Sequence, residues 1–182
     1  MKNPMASLLL LFLALAPQVC RAQEEPDDNP KFNTNLGWPI STPLGSGSRV
    51  SGIGTGLTYG AGYNFTRRHA LVGEFLWDWL NPVGNGHSDL YTFTGNYRFE
   101  LRGRLLGAYL IAGGGWYWRR SSIPDLAVFG SSSNALGGSG GAGFTIRVGD
   151  APYRFYFESR YHYAPTKPIN TRLIVTTIGI RY

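Results

Sequence analysis

From Phe32 onward the chain alternates apolar and polar residues with period two, in runs broken by Gly, Pro, Asn, Asp or Arg-rich turns. Period two marks a strand with two unlike faces, because successive side chains point to opposite sides of the pleat. Eight such runs predict strands at about 32–41, 52–65, 70–80, 90–101, 105–119, 138–149, 153–164 and 171–182. The connections at 66–69 (TRRH), 102–104 (RGR) and 150–152 (DAP) are tight. Those at 42–51, 81–89, 120–137 and 165–170 are longer, and the two kinds take turns. That rhythm predicts an all-β fold: an eight-stranded antiparallel up-and-down barrel with all turns of one kind at one end.

The two faces differ in chemistry. In strand three Leu71, Phe75, Trp77 and Trp79 oppose Glu74 and Asp78. In strand four Tyr91, Phe93, Tyr97, Phe99 and Leu101 oppose Thr92, Thr94, Asn96, Arg98 and Glu100. Strand six sets Phe144, Ile146 and Val148 against Thr145 and Arg147. Strand seven sets Phe155, Phe157, Tyr161 and Tyr163 against Arg154, Glu158, Arg160 and His162. Strand eight sets Ile174, Ile178, Ile180 and Tyr182 against Thr177, Gly179 and Arg181. In strand two Leu57, Tyr59, Ala61 and Tyr63 face away from Gly54, Gly56, Gly60 and Gly62. Strand five (LLGAYLIAGGGWYW) is apolar on both sides, and the pattern assigns no face to it.

A soluble barrel would fold the apolar face inward, as lipocalins do. Here that face carries more aromatic volume than the lumen of an eight-stranded barrel holds. The polar face is built of Gly, Thr and opposite charges rather than solvating Lys and Glu. Turned inside out, both facts fit: aromatics and Ile meet lipid, while Gly and paired charges fill the lumen. The runs are also long enough for tilted membrane strands, which need about 9–11 residues. A closed barrel satisfies every backbone group in hydrocarbon. Trp38, Trp77, Trp79, Trp116 and Trp118 all lie toward the ends of odd-numbered strands. They predict one girdle at the outer interface, with Phe65, Phe99, Phe155 and Tyr182 marking the inner one.

The N-terminus reads as an export signal. Lys2 precedes an apolar run at 6–16 (ASLLLLFLALA), and Val19-Cys20-Arg21-Ala22 places small residues at −3 and −1 of a cut after Ala22. Pro17 and Gln18 end the run short of the roughly 20 residues a spanning helix needs. Residues 1–22 are therefore expected to be a cleaved signal peptide, 23–30 (QEEPDDNP) a flexible acidic tail, and 31–182 the barrel. Cys20 is the single cysteine, so the exported chain carries no disulfide and no thiolate nucleophile.

Composition narrows the class further. Only 15% of residues are charged, 14% are aromatic, and Gly numbers 25. That balance excludes a helical bundle and a disordered chain. A mean hydropathy of −0.15 excludes a bundle of membrane helices. From Lys31 onward 15 basic residues face seven acidic ones, which suits contact with anionic lipid.

Gly60-Ala61-Gly62-Tyr63-Asn64-Phe65 and the C-terminal run from Ile174 to Tyr182, ending on an aromatic, resemble the small outer-membrane β-barrel family typified by OmpA and OmpX. The resemblance spans about residues 31–182. It implies an integral outer-membrane location, and a final strand read by the outer-membrane insertion machinery. It does not select an activity, because that family spans anchors, adhesins and lipid-modifying enzymes.

The candidate lumen network joins Glu74, Asp78, Glu100 and Glu158 to Arg98, Arg147, Arg154, Arg160 and Arg181, with His162 beside it. Near-balance of charge points to a structural plug of buried ion pairs rather than an ion-conducting pore. The segment Glu158-Ser159-Arg160-Tyr161-His162-Tyr163-Ala164-Pro165 resembles lipid A deacylase (PagL) barrels, whose catalytic His is followed two residues later by Ser. Here that position is Ala164, and Ser159 faces the other way, so no alcohol nucleophile meets the base. His162 is expected to bond Glu158 instead. His87, Ser88 and Asp89 are consecutive and do not converge on one point.

Arg49, Arg119, Arg120, Lys167 and Arg172 lie near the outer end and are candidate contacts for lipopolysaccharide phosphates. No metal-ligand spacing or phosphate loop is present. The sequence thus predicts a non-enzymatic outer-membrane protein with a structural or surface-interaction role. It is expected to be monomeric, with membrane lipids as partners and no cofactor, metal or nucleic acid. A lipid A hydrolase and a narrow pore are the alternatives.

Overall fold

The computed structural model describes residues 30–49, 51–82, 87–101, 105–122, 131–149, 151–167 and 169–182. The expected signal peptide and all but the last residue of the acidic tail lie outside the described residues. The strands are β1 (Phe32–Pro43), β2 (Ser51–Asn64), β3 (His69–Pro82), β4 (His87–Leu101), β5 (Leu106–Ser122), β6 (Ser131–Arg147), β7 (Arg154–Ala164) and β8 (Thr171–Arg181). Each pairs antiparallel with its sequence neighbours, and β8 closes onto β1. A short 3-10 helix, Gly45–Arg49, follows β1.

The strand count agrees with the sequence reading, but the lengths do not. β6 begins at Ser131 rather than near 138, β3 runs to Pro82, and β4 starts at His87. The alternation of tight and long connections therefore largely disappears, and the 81–89 and 120–137 loops shrink to 83–86 and 123–130. The Ser-, Asn- and Gly-rich stretch at 131–137 reads as a loop in the sequence because it has no apolar alternation, Ala135 and Leu136 being adjacent. It pairs with β5 all the same: Ser131 opposes Ser121 and Ala135 opposes Tyr117. A hairpin that rises beyond the membrane needs backbone pairing but no apolar face.

The register fixes the barrel's shape. Starting at Gly37, cross-strand partners run through Thr58, Leu76 and Thr92 to Tyr117. In the other direction they run through Gly179, Tyr156 and Thr145 to Gly107. Both paths end on β5, ten residues apart, so the shear is ten. With about 3.3 Å per residue and about 4.8 Å between strands, the strands tilt by about 40° on a backbone cylinder of about 8 Å radius. Such a cylinder is filled by its own side chains.

Which side chains fill it follows the alternation. Along β1 every second residue is buried, as is every second residue of β8 except the half-buried Gly179, and the exposed ones include Leu36, Trp38, Ile174 and Ile178. β5, which the sequence could not orient, turns Tyr109, Ile111 and Tyr117 inward and Leu110, Trp116 and Trp118 outward. Gly facing Tyr makes the inside fit. A Cβ on Gly143 would collide with the Tyr109 ring, and one on Gly37 with the Tyr156 hydroxyl.

Candidate functional site: a filled lumen and its two mouths

The end where odd-numbered strands begin is taken as the lower end. Above its rim the lumen is polar. Arg160 lies between two carboxylates: its Nη2 donates to Glu74, and its Nε pairs with Glu158 Oε1 at 2.6 Å. Below it, Glu100 Oε1 forms an ion pair with Arg98 Nε at 2.6 Å and accepts from Arg181 Nη1 at 3.2 Å. Arg98 Nη2 also donates to Asn33 Oδ1 at 3.2 Å, and Asn33 Nδ2 to Asn64 Oδ1 at 3.0 Å. The Arg181 guanidinium lies 4.6 Å from the Tyr109 ring centroid and 5.3 Å from that of Tyr156. These side chains are buried, so each ion pair compensates a charge that would be costly to strand in a medium of low polarity.

The upper lumen has the opposite character. Leu76 and Leu80 of β3, Leu90 of β4, Tyr117 of β5, Ala164 of β7, and Leu173 and Val175 of β8 form one buried apolar cluster. The sequence pattern did not show it, because the charged residues Glu74 and Asp78 set the inward row as polar while the interspersed Leu76 and Leu80 were passed over. The signal was there: Leu76, Leu80 and Leu90 share the parity of Glu74, Asp78 and Thr92.

Several expected positions need correction. Asp78 is fully buried near this apolar end, beside Ser41 of β1 and without an arginine partner among the described residues, so it stands apart from the arginine network. Arg147 has the inward parity but is exposed, because it is the last residue of β6 and reaches the lower rim. Arg154, the first residue of β7, is half-buried at the same rim. His162 is buried as a lumen residue, but its Nδ1 is 2.9 Å from the Tyr117 hydroxyl rather than bonded to Glu158. Four residues along one strand separate Glu158 from His162, whereas Tyr117 projects across the lumen toward it.

The outer wall carries the aromatics. Trp77, Tyr91 and Trp118 share one cross-strand row, and Phe75, Phe93 and Trp116 the next. Trp79 lies just above them on β3. Trp38 is exposed but does not join this girdle. The shear lifts successive strands, so Trp118 sits about 12 Å higher along the axis than Trp38. Trp38 opposes Ile178 well below the upper rim. At the lower end Phe32, Tyr63 and Phe65 stack edge to face, and Tyr153 contacts Phe155 and Tyr182.

The bases of the upper end divide. Arg120 faces outward and opposes Asp89 across β4 and β5. Arg172 faces outward 5.7 Å from the Tyr163 ring centroid, and Lys167 is exposed in the last connection. Arg119 instead turns into the lumen mouth and donates to Ser51 Oγ at 2.9 Å, which removes it from the outer wall. The side chain of Arg49 lies outside the described residues. Ser88 is buried against Ser121, with Oγ atoms 3.0 Å apart, while Asp89 takes the opposite parity, so the two do not converge. The side chain of His87 lies outside the described residues. Among the described residues no cluster of three metal-ligating side chains occurs.

The chain matches no protein-family model and no curated protein. Solved structures do match. Neisserial surface protein A aligns over 84% of this chain and 96% of its own, with a TM-score of 0.62 and 18% identity. Ail, the attachment invasion locus protein of Yersinia pestis, aligns over 85% and 99%, at 0.57 and 16%. The outer-membrane protein OprG from Pseudomonas aeruginosa aligns over 83% and 94%, at 0.55 and 17%. The chain has the fold of the small eight-stranded outer-membrane barrels.

Proposed function

We propose that this chain is an integral outer-membrane barrel without catalytic machinery, whose filled lumen acts as a strut and whose upper end is an interaction surface outside the cell. The observation that carries this reading is the double filling of the lumen, ion-paired below and apolar above. A conducting pore needs a continuous wet path, and the Leu76, Leu80, Leu90 and Leu173 cluster stands across it. A lipid A hydrolase needs its base on the lipid wall beside an alcohol. His162 faces inward and bonds a tyrosine.

The upper end offers the platform. β5 and β6 each have 17 residues, well beyond the about 9–11 needed to span, and carry a polar hairpin locked by Trp118 Nε1 donating to Ser132 Oγ at 2.8 Å. Arg120, Lys167 and Arg172 supply outward positive charge for the phosphates of lipopolysaccharide. Ail has been solved in complex with the heparin analogue sucrose octasulfate, so a barrel of this fold takes a polyanion. The alternating Ile174, Ile178 and Ile180 of β8 suit recognition by the insertion machinery.

The experiment is thiol labelling of whole cells with a membrane-impermeant reagent, using Ser132→Cys and Arg67→Cys. Ser132→Cys should label on intact cells, and Arg67→Cys only after the outer membrane is broken. The reverse pattern would place the platform in the periplasm. The purified protein should give no conductance steps in planar bilayers, and steady steps would replace the strut with a pore.

A further inference from the structure

Arg119 is the base that turns into the upper mouth, where Arg120 and Arg172 turn outward. It is the next inward residue of β5 above Tyr117, and it directly opposes Leu90 of β4. Tyr117 and Leu90 both belong to the apolar cluster, so that cluster forms the floor beneath it. Arg119 Nη2 donates to Ser51 Oγ of β2 at 2.9 Å, across two intervening strands. The guanidinium therefore lies across the mouth rather than along the wall, and the side chain is half-buried.

The arginines lower in the lumen pair with glutamates, but among the described residues no carboxylate pairs with Arg119. Asp78 shares its cross-strand row, yet Leu90 stands between them and the neighbour of Asp78 is Ser41. Asp89 has the outward parity and opposes Arg120. A guanidinium carries five N–H donors. Among the described residues Ser51 takes one of them, and Nε is buried without an acceptor. A partly desolvated cation with idle donors is costly unless something answers its charge. The hydroxyls nearby are donors in the same position. Ser51 Oγ already accepts from Arg119, so its own proton is left to give. Ser88 and Ser121 face each other in the next inward row, with Oγ atoms 3.0 Å apart. One of their two protons serves that bond and the other is left over. The mouth thus combines a positive charge and spare donors from three strands above an apolar floor.

We propose that the upper mouth is a seat for one oxyanion of the sulfate and phosphate class, held by the Arg119 guanidinium with the hydroxyls of Ser51, Ser88 and Ser121. Several oxygens around one centre meet donors from β2, β4 and β5 together, where the two oxygens of a carboxylate meet fewer. The planar fork suits such an anion, and its charge offsets a cation that the floor keeps partly dry. Because Arg119 projects into the barrel, the anion enters through water, as a free ion or as an ester on a sugar. The seat is separate from Arg120, Lys167 and Arg172, and it holds whether or not they bind lipopolysaccharide.

The test uses the full-length exported protein, labelled with nitrogen-15 and folded in a neutral detergent. The Arg119 Nε–H resonance is assigned by its loss in Arg119→Lys, which keeps the charge but has no planar fork. Sodium sulfate is titrated against sodium chloride at matched ionic strength. Sulfate should shift the resonance along a saturating curve, and chloride should not. Isothermal heats then give the affinity. Arg119→Lys should weaken sulfate binding about ten-fold, the scale of a lost hydrogen bond to a charged group. Arg120→Gln, on the outer wall, should bind sulfate as the unaltered chain does. Glucose 6-sulfate separates the two sources: binding tighter than sulfate and lost in Arg119→Lys assigns the anion to a sugar ester, and weaker binding assigns it to the free ion. No saturating shift, an equal response to chloride, or equal affinity in Arg119→Lys overturns the proposal. A resonance that ignores sulfate but moves in Asp125→Asn also overturns it, because the partner of Arg119 would then lie within the chain.

Discussion

Replacing Arg160 with Ala isolates the energetic claim about the lumen. Arg160 is bonded to Glu74 and to Glu158, and all three side chains are at least 95% buried. Truncation leaves two carboxylates without their shared cation in a narrow, water-poor space. Breaking a buried pair in this way costs about 3–5 kcal/mol, because the stranded charge keeps its desolvation penalty. That corresponds to about two to four orders of magnitude in the unfolding equilibrium. Arg98→Ala should cost less, since Glu100 keeps Arg181 at 3.2 Å as a second partner. The assay is denaturant unfolding in lipid vesicles, followed by tryptophan emission, with the midpoint and slope compared. Adding Glu74→Gln and Glu158→Gln to Arg160→Ala should recover part of the loss, because the stranded charges go too. Lys167→Ala, an exposed change, should stay within about 0.5 kcal/mol. An Arg160→Ala protein as stable as the unaltered chain, or no recovery in the triple variant, would refute the reasoning.

Asp78→Asn should leave stability unchanged or raise it by about 1 kcal/mol, since it removes a buried charge that no described cation pairs with, while an amide can still bond Ser41; a loss as large as that of Arg160→Ala in the same unfolding assay would show a hidden cationic partner. Gly37→Ala should cost about 1–3 kcal/mol, because its Cβ would collide with the Tyr156 hydroxyl and Thr177. Gly95→Ala should be neutral or stabilising by up to about 1 kcal/mol, because nothing lies within 4 Å of its Cβ and Ala orders more cheaply. Equal midpoints for the two glycine variants would mean that Tyr156 does not pack where the fold puts it.

Much of this architecture was legible in the sequence because lipid imposes a strict rule on one face. Phe93, Tyr97 and Leu101 alternate with Thr94, Asn96 and Arg98, and a one-residue slip would bury the charges in hydrocarbon. Strand ends were less legible. Beyond the membrane no such rule applies, so 131–137 could extend β6 without an apolar residue on every second position. Partners across the lumen were not legible at all. Arg160 meets Glu74 from the far side of the barrel, 86 residues away, and the shear of ten decides which rows coincide. The same shear drops Trp38 out of the girdle that its place near a strand end had suggested.

The claim on which the account rests is that the aromatic face meets lipid and the charged face fills the interior. The five native tryptophans report on it without any substitution, since all lie on the outer wall: Trp38, Trp79, Trp116 and Trp118 exposed, Trp77 half-buried. The measurement is tryptophan emission from the folded protein in vesicles whose acyl chains are brominated, at mid-chain or close to the headgroup. Both lipids should quench the emission strongly relative to unbrominated vesicles. The mid-chain label should reach Trp38, and the shallow label the girdle of Trp77, Trp79, Trp116 and Trp118. Aqueous iodide should have little effect. Emission unchanged by brominated lipid would contradict the account, because the tryptophans would then lie in a protein core with the charged face outside.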